Sequence, residues 1–185
     1  MKPVITIDID NVVFAHDGII SGAAMTLYGM FTGLLDSVIG ALPPAFVNAI
    51  MNASMGSARP AHIQVPYCIA RLAETTDPHF LSARPPYSVG AVANLFDRYG
   101  MKIPRDRLVF VPSDRKAETA IALGSILHID DSDMVIKSMM KIGMNHCMIS
   151  NDKTKYNHYL RPAAQWLESI VLLQANRTRF FGNEM

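Results

Sequence analysis

Charge is scarce and evenly matched in this sequence. Only 18% of its 185 residues are charged, and 17 Lys and Arg set against 16 Asp and Glu leave a formal net charge of +1. A chain so balanced has no global field to hold it on a nucleic-acid backbone. The basic residues from Arg98 to Lys116 are interleaved with acidic ones and read as a solvated face. Cysteine is limited to Cys68 and Cys147, far apart and in no ligand spacing, which excludes a disulfide scaffold and predicts a reducing compartment. The start of the chain lacks the apolar stretch of a signal peptide, since Asp8 and Asp10 fall where it would lie, so a cytoplasmic location is expected. Long hydrophobic runs are also missing, with one near-exception. Ile19 to Leu35 carries no charge and approaches the length of a membrane span, yet it is diluted by Gly, Ser and Thr. No Lys or Arg stands between Lys2 and Arg59 to flank it, and it reads as a buried helix or a subunit contact with no membrane role.

What is abundant is apolar sequence, at 50% of the residues, enough for one domain with a core and a small insertion. Val4 to Ile7 is a β-branched run that predicts a buried strand ending on Asp8. From Asp17 to Thr76 the texture changes to Gly, Ala and Met with apolar residues at helical spacing, broken at Pro43-Pro44 and Arg59-Pro60. This predicts a helical insertion over 17–76, with a core formed by 1–16 and 77–185. Strand and helix signals then alternate: a strand ending near Leu81, a helix from Ser88 to Tyr99 stopped by Gly100, and a strand from Leu108 to Val111. A helix from Ala117 to Leu123 follows, then a strand from Ile126 to Ile129, a helix from Asp133 to Ile142 stopped by Gly143, and a strand from Cys147 to Ile149. Ala163 to Leu173 predicts a last amphipathic helix, with a polar end after Asn176. Such alternation implies an α/β fold with a mostly parallel sheet and helices on both faces.

Four chemically complementary features fall near predicted strand ends: Asp8-Ile9-Asp10, Ser82, Lys116 and Asp130-Asp131. Two carboxylates separated by one residue can divide labour, one attacking phosphorus and the other moving a proton. A second acidic pair can join the first around a hard divalent cation. Lys116 supplies positive charge toward phosphoryl oxygens, and the Ser82 hydroxyl a hydrogen bond. Each feature alone has an ordinary explanation as a cap, a turn residue or a solvated cation. Their order and placement together argue for a site. The six histidines show no ligand spacing and none is taken as catalytic.

The set resembles the four motifs of the haloacid dehalogenase (HAD) superfamily. Val4-Ile-Thr-Ile-Asp8-Ile-Asp10-Asn-Val12 is similar to its first motif, Phe80-Leu-Ser82-Ala-Arg84-Pro85 to the second, Lys116 with its neighbour Arg115 to the third, and His128-Ile-Asp130-Asp131-Ser132 to the fourth. The resemblance implies a Rossmann-like HAD core, with the insertion as a small helical cap after the first strand. It also implies a magnesium-dependent phosphatase in which Asp8 becomes an aspartyl-phosphate and Asp10 serves as acid and then base. Mg2+ would be held by the Asp8 carboxylate, the Asp10 carbonyl and one of the last pair, with Asp131 as direct ligand and Asp130 behind it. Asn11 departs from the glycine common at its position and is placed against the phosphate. Arg84 follows Ser82 closely enough to reach the phosphate too.

Two branches of the superfamily are similar: the 5'(3')-deoxyribonucleotidases, and the 3'-phosphatase domain of phage polynucleotide kinases, which shares the runs around Asp114-Arg115-Lys116 and Met139 to Gly143. Near-neutral charge favours a small phosphorylated substrate, a nucleotide, over a stable nucleic-acid partner. A reading of another class is a non-catalytic HAD-fold binding or assembly module that uses its apolar insertion as an interface. That insertion also makes a homodimer plausible.

Overall fold

The computed structural model describes residues 2–16, 58–61 and 63–148. The Ile19–Leu35 stretch, most of the insertion and the expected helix from Ala163 to Leu173 lie outside them. Strand β1 (Val4–Asp8) runs through the middle of a five-stranded sheet, followed in the chain by a short hairpin of β2 (Phe14–His16) and β3 (Ala58–Pro60). Helix α1 (Val65–Thr75) leads into β4 (Asp77–Ser82), α2 (Val89–Arg98) and β5 (Leu108–Phe110). Helix α3 (Lys116–Ala122), β6 (Ser125–Asp130), α4 (Asp133–Lys141) and β7 (His146–Met148) complete the order.

The large sheet is ordered β5-β4-β1-β6-β7, and its paired strands are all parallel. The chain therefore winds outward from β1 to one side, crosses back, and winds outward to the other. Open α/β sheets bind ligands at the carboxyl ends of the strands where this reversal occurs. Asp8, Ser82 and Asp130 are the last residues of β1, β4 and β6.

Alternation along β4 explains the layers, because neighbouring side chains of a strand point to opposite faces. Phe80 packs with α1 and α2 through Leu72, Leu95 and Phe96, whereas Leu81 packs with α3 and α4 through Ala120, Val135 and Met139. Phe96 meets Phe80 and Phe14 edge-on at centroid distances of 4.8 and 5.0 Å. The buried run of β1, Ile5 to Asp8, reflects a strand covered on both faces. Gly143, at φ 70°, ends α4 in the left-handed region that glycine enters without strain.

Helix α1 falls within the stretch expected to form the insertion, and its buried side chains Val65, Cys68, Ile69 and Leu72 share a single apolar cluster with Ile5, Ile7 and Phe80. The Met- and Gly-rich texture that precedes it hid an ordinary amphipathic helix whose inner face belongs to the sheet. The hairpin, which went unpredicted, sets the excursion's ends: His16 pairs with Ala58. No helix among the described residues is long and apolar enough to cross a membrane.

Candidate active site

β1 delivers Asp8 to the sheet edge, and the chain then folds back at once. The amides of Val13 and Phe14 donate to the Ile9 carbonyl at 3.0 Å, and the Asn11 amide donates to the Phe14 carbonyl at 2.8 Å. Asn11 takes φ 60° to make this turn, a left-handed conformation that asparagine tolerates better than most non-glycine residues. This accounts for Asn11 at a position where glycine is the familiar choice. Its side chain is exposed at the rim of the site.

Lys116 opens α3 and turns inward, only 3% exposed. Its Nζ donates to Asp8 Oδ1 at 2.5 Å and to Asp130 Oδ2 at 2.9 Å, tying β1 to β6. Arg115, the alternative for this role, points the other way and pairs with Glu118 on the surface. Lys116 thus takes the inward place. Burial opposes its charge, yet Asp8 and Asp130 together outweigh that and raise its pKa.

Asp8 is 4% exposed. Burial, with the charges of Asp130 and Asp10 in support, pushes its carboxyl well above the ordinary range despite Lys116. Asp130 behaves oppositely. Burial works against its charge, but hydrogen bonding from His128 and the Lys116 ammonium prevail and hold its pKa below the usual value. Its Oδ1 also accepts from the Ser132 amide at 2.8 Å.

Across the cleft, Arg84 forms a forked ion pair with Asp10. Its Nε lies 3.1 Å from both carboxylate oxygens and its NH2 lies 2.5 Å from Oδ1. The Ser82 hydroxyl donates to Asp10 Oδ2 at 3.1 Å and accepts from the Arg84 amide at 3.2 Å. Ser82 and Arg84, both assigned to phosphate, are therefore engaged with the second carboxylate, and Arg84 is 5% exposed. The reason is local: a tight turn after β4 brings the guanidinium back over the loop that carries Asp10.

Ligand oxygens of Asp8, Asp130 and Asp131 lie within 4.8 Å of one another. These hard donors fit a divalent cation. Asp131 is half-buried at the rim, while both oxygens of Asp130 already accept hydrogen bonds.

The sequence reading missed His128. It is fully buried, with Nδ1 2.8 Å from Thr6 Oγ1 and Nε2 3.0 Å from Asp130 Oδ2. Burial lowers its pKa. Spacing rules for metal ligands pass over it; the usable signal was a polar residue inside a strand, two positions before the carboxylate that it supports.

No family model matches the sequence, and no curated protein does. Solved structures do. A HAD family enzyme of Bacteroides thetaiotaomicron, in its magnesium complex, superposes with a TM-score of 0.51 at 17% identity over 84% of this chain and 96% of that one. An aspartate-to-alanine mutant of that enzyme, in complex with magnesium and inorganic phosphate, gives 0.49 at 15% identity over 84% of this chain and 97% of that one. The first of these likenesses shows that the chain has the HAD fold.

Proposed function

We propose that the protein is a magnesium-dependent phosphomonoester hydrolase acting through an aspartyl-phosphate on Asp8, with (deoxy)nucleoside monophosphates as substrates. The observation that carries this is the Lys116 ammonium bridging Asp8 and Asp130 at the carboxyl edge of the sheet, with Asp10 facing it in the Arg84 fork. That arrangement provides a nucleophile, a counter-charge and a second carboxylate for proton transfer.

In this reading an Asp8 oxygen attacks phosphorus and the bond to the ester oxygen breaks. Asp10 gives that oxygen its proton. The Asp10 carboxylate then takes a proton from water as the water oxygen attacks phosphorus and the bond from phosphorus to Asp8 breaks, releasing phosphate and restoring the Asp8 carboxylate. Lys116 orients Asp8 and offsets charge on the phosphoryl oxygens. The Arg84 fork holds the Asp10 carboxylate in place for both proton transfers, and an incoming phosphate dianion meets the same guanidinium. Mg2+, held by the Asp8 and Asp131 carboxylates and the Asp10 carbonyl, would neutralise repulsion between the nucleophile and the phosphate. Asn11 meets the substrate from the rim, and the insertion between His16 and Ala58 contributes selectivity.

The nucleotide reading draws support from the net charge of +1, which gives a polynucleotide backbone no general attraction. The test is phosphate release from nucleoside 5'- and 3'-monophosphates, sugar phosphates and 3'-phosphorylated oligonucleotides, with magnesium or chelator. Asp8→Asn is run in parallel. Magnesium-dependent release lost in the variant is expected, fastest on mononucleotides. Preference for oligonucleotides with steep salt dependence would overturn the substrate, and full turnover by Asp8→Asn would overturn the mechanism.

A further inference from the structure

Beneath the carboxylates lies a polar layer that a sheet interior has no packing need for. Thr6 and His128 are fully buried neighbours across the β1–β6 pairing. Apolar side chains there would fill the space without the desolvation cost, so the use of each polar atom is informative.

Asp130 fixes the direction of the chain of hydrogen bonds. Its Oδ2 accepts from Lys116 Nζ at 2.9 Å and its Oδ1 from the Ser132 amide at 2.8 Å, so it is a carboxylate with no proton to give. The contact at 3.0 Å from His128 Nε2 to Asp130 Oδ2 must then carry its hydrogen on Nε2. On the other side of the ring Nδ1 lies 2.8 Å from Thr6 Oγ1, which also has Ser125 Oγ at 3.1 Å and the Leu127 carbonyl at 3.4 Å, while the Ser125 hydroxyl donates to that carbonyl at 2.8 Å.

We propose that His128, with hydrogen on Nε2 and its ring held from the other side by Thr6, is a positioning residue that fixes the Asp130 carboxylate and, through it, the Lys116 ammonium against Asp8. The kinetic side of this rests on the phosphatase reading; the Nε2 hydrogen does not. Supporting groups behind catalytic or metal-binding side chains change activity by about 10–100-fold when removed.

Two measurements on the full chain test it. Nitrogen chemical shifts of the His128 ring, assigned by their loss in His128→Gln, are expected to show hydrogen on Nε2. An unprotonated Nε2 in the native protein overturns the proposal. In turnover with magnesium, His128→Leu should lower kcat about 10–100-fold with KM changed by less than about 3-fold. His128→Gln, whose side-chain amide reaches the Nε2 position, should recover to within about 3-fold of native. Undiminished kcat in folded His128→Leu, or a folded His128→Gln no better than His128→Leu, overturns it. A native protein inactive on every ester would sink the phosphatase reading and leave the ring shifts to decide this one.

Discussion

Asp8, the nucleophile of the proposed reaction, sits in a place that disfavours its charge. Its carboxyl is raised by burial and by two neighbouring carboxylates, so the metal-free folded protein retains a proton there that the unfolded chain releases. Stability of the metal-free protein therefore falls as pH rises from the ordinary aspartate value toward the raised native one. Asp8→Asn removes that slope. The variant is expected to be inactive yet more stable than native in chelator at neutral pH, by roughly 1–2 kcal/mol, or a few °C in Tm. Equal or lower stability in thermal melts at neutral pH would show that Lys116 compensates Asp8 fully. Lys116→Met should do the opposite. It leaves Asp8 and Asp130 facing each other without the ammonium between them, and breaking a buried pair this way costs about 3–5 kcal/mol. Chemical denaturation with chelator measures the loss, and magnesium should recover part of it.

Among the elements, α1 and the β2–β3 hairpin decide where the core ends. Leu72 is fully buried against the sheet, so Leu72→Ala should cost about 2–5 kcal/mol, whereas Tyr67, 62% exposed on the outer side of α1, should change stability by less than about 0.5 kcal/mol when cut to Ala. His16 and Ala58 are paired in the hairpin, so replacing residues 17–57 by a short Gly-Ser linker is expected to leave a folded, cooperatively melting core. Loss of the melt would mean that the excursion is part of the core.

The same elements show what the sequence could and could not convey. Strand and helix positions from Asp77 to Met148 follow from apolar runs closed by Gly100 and Gly143, and they agree with the structure to within a residue or two at each end. The motif carboxylates were legible because each ends an apolar run. The membership of α1 was not, since amphipathic spacing says that a face is buried but not against what. The Arg84–Asp10 fork and the His128–Asp130 contact were equally hidden: each joins side chains through a turn or across the sheet edge, and neither has a spacing signature.

For the molecule as a whole, Asp8, Asp130 and Asp131 gather at one edge of the sheet, where Lys116 pairs with the first two, and a bound cation should be felt as stability. A ligand at a hundred times its Kd stabilises by about 2.7 kcal/mol, which for a chain of this size is roughly 5–10 °C in Tm. Magnesium is expected to raise the Tm of the native protein by that order, and the two carboxylates of the last pair should separate in how they affect it. Asp131 is half-buried and belongs to the cluster of oxygens, so Asp131→Asn should remove most of the magnesium shift. Asp130 is committed to Lys116, His128 and the Ser132 amide, so Asp130→Asn should lower the melt in chelator and keep a reduced shift. The reverse pattern in paired melts would make Asp130 the direct ligand, and the hydrogen bonds that now occupy both its oxygens would then have to rearrange when the metal binds.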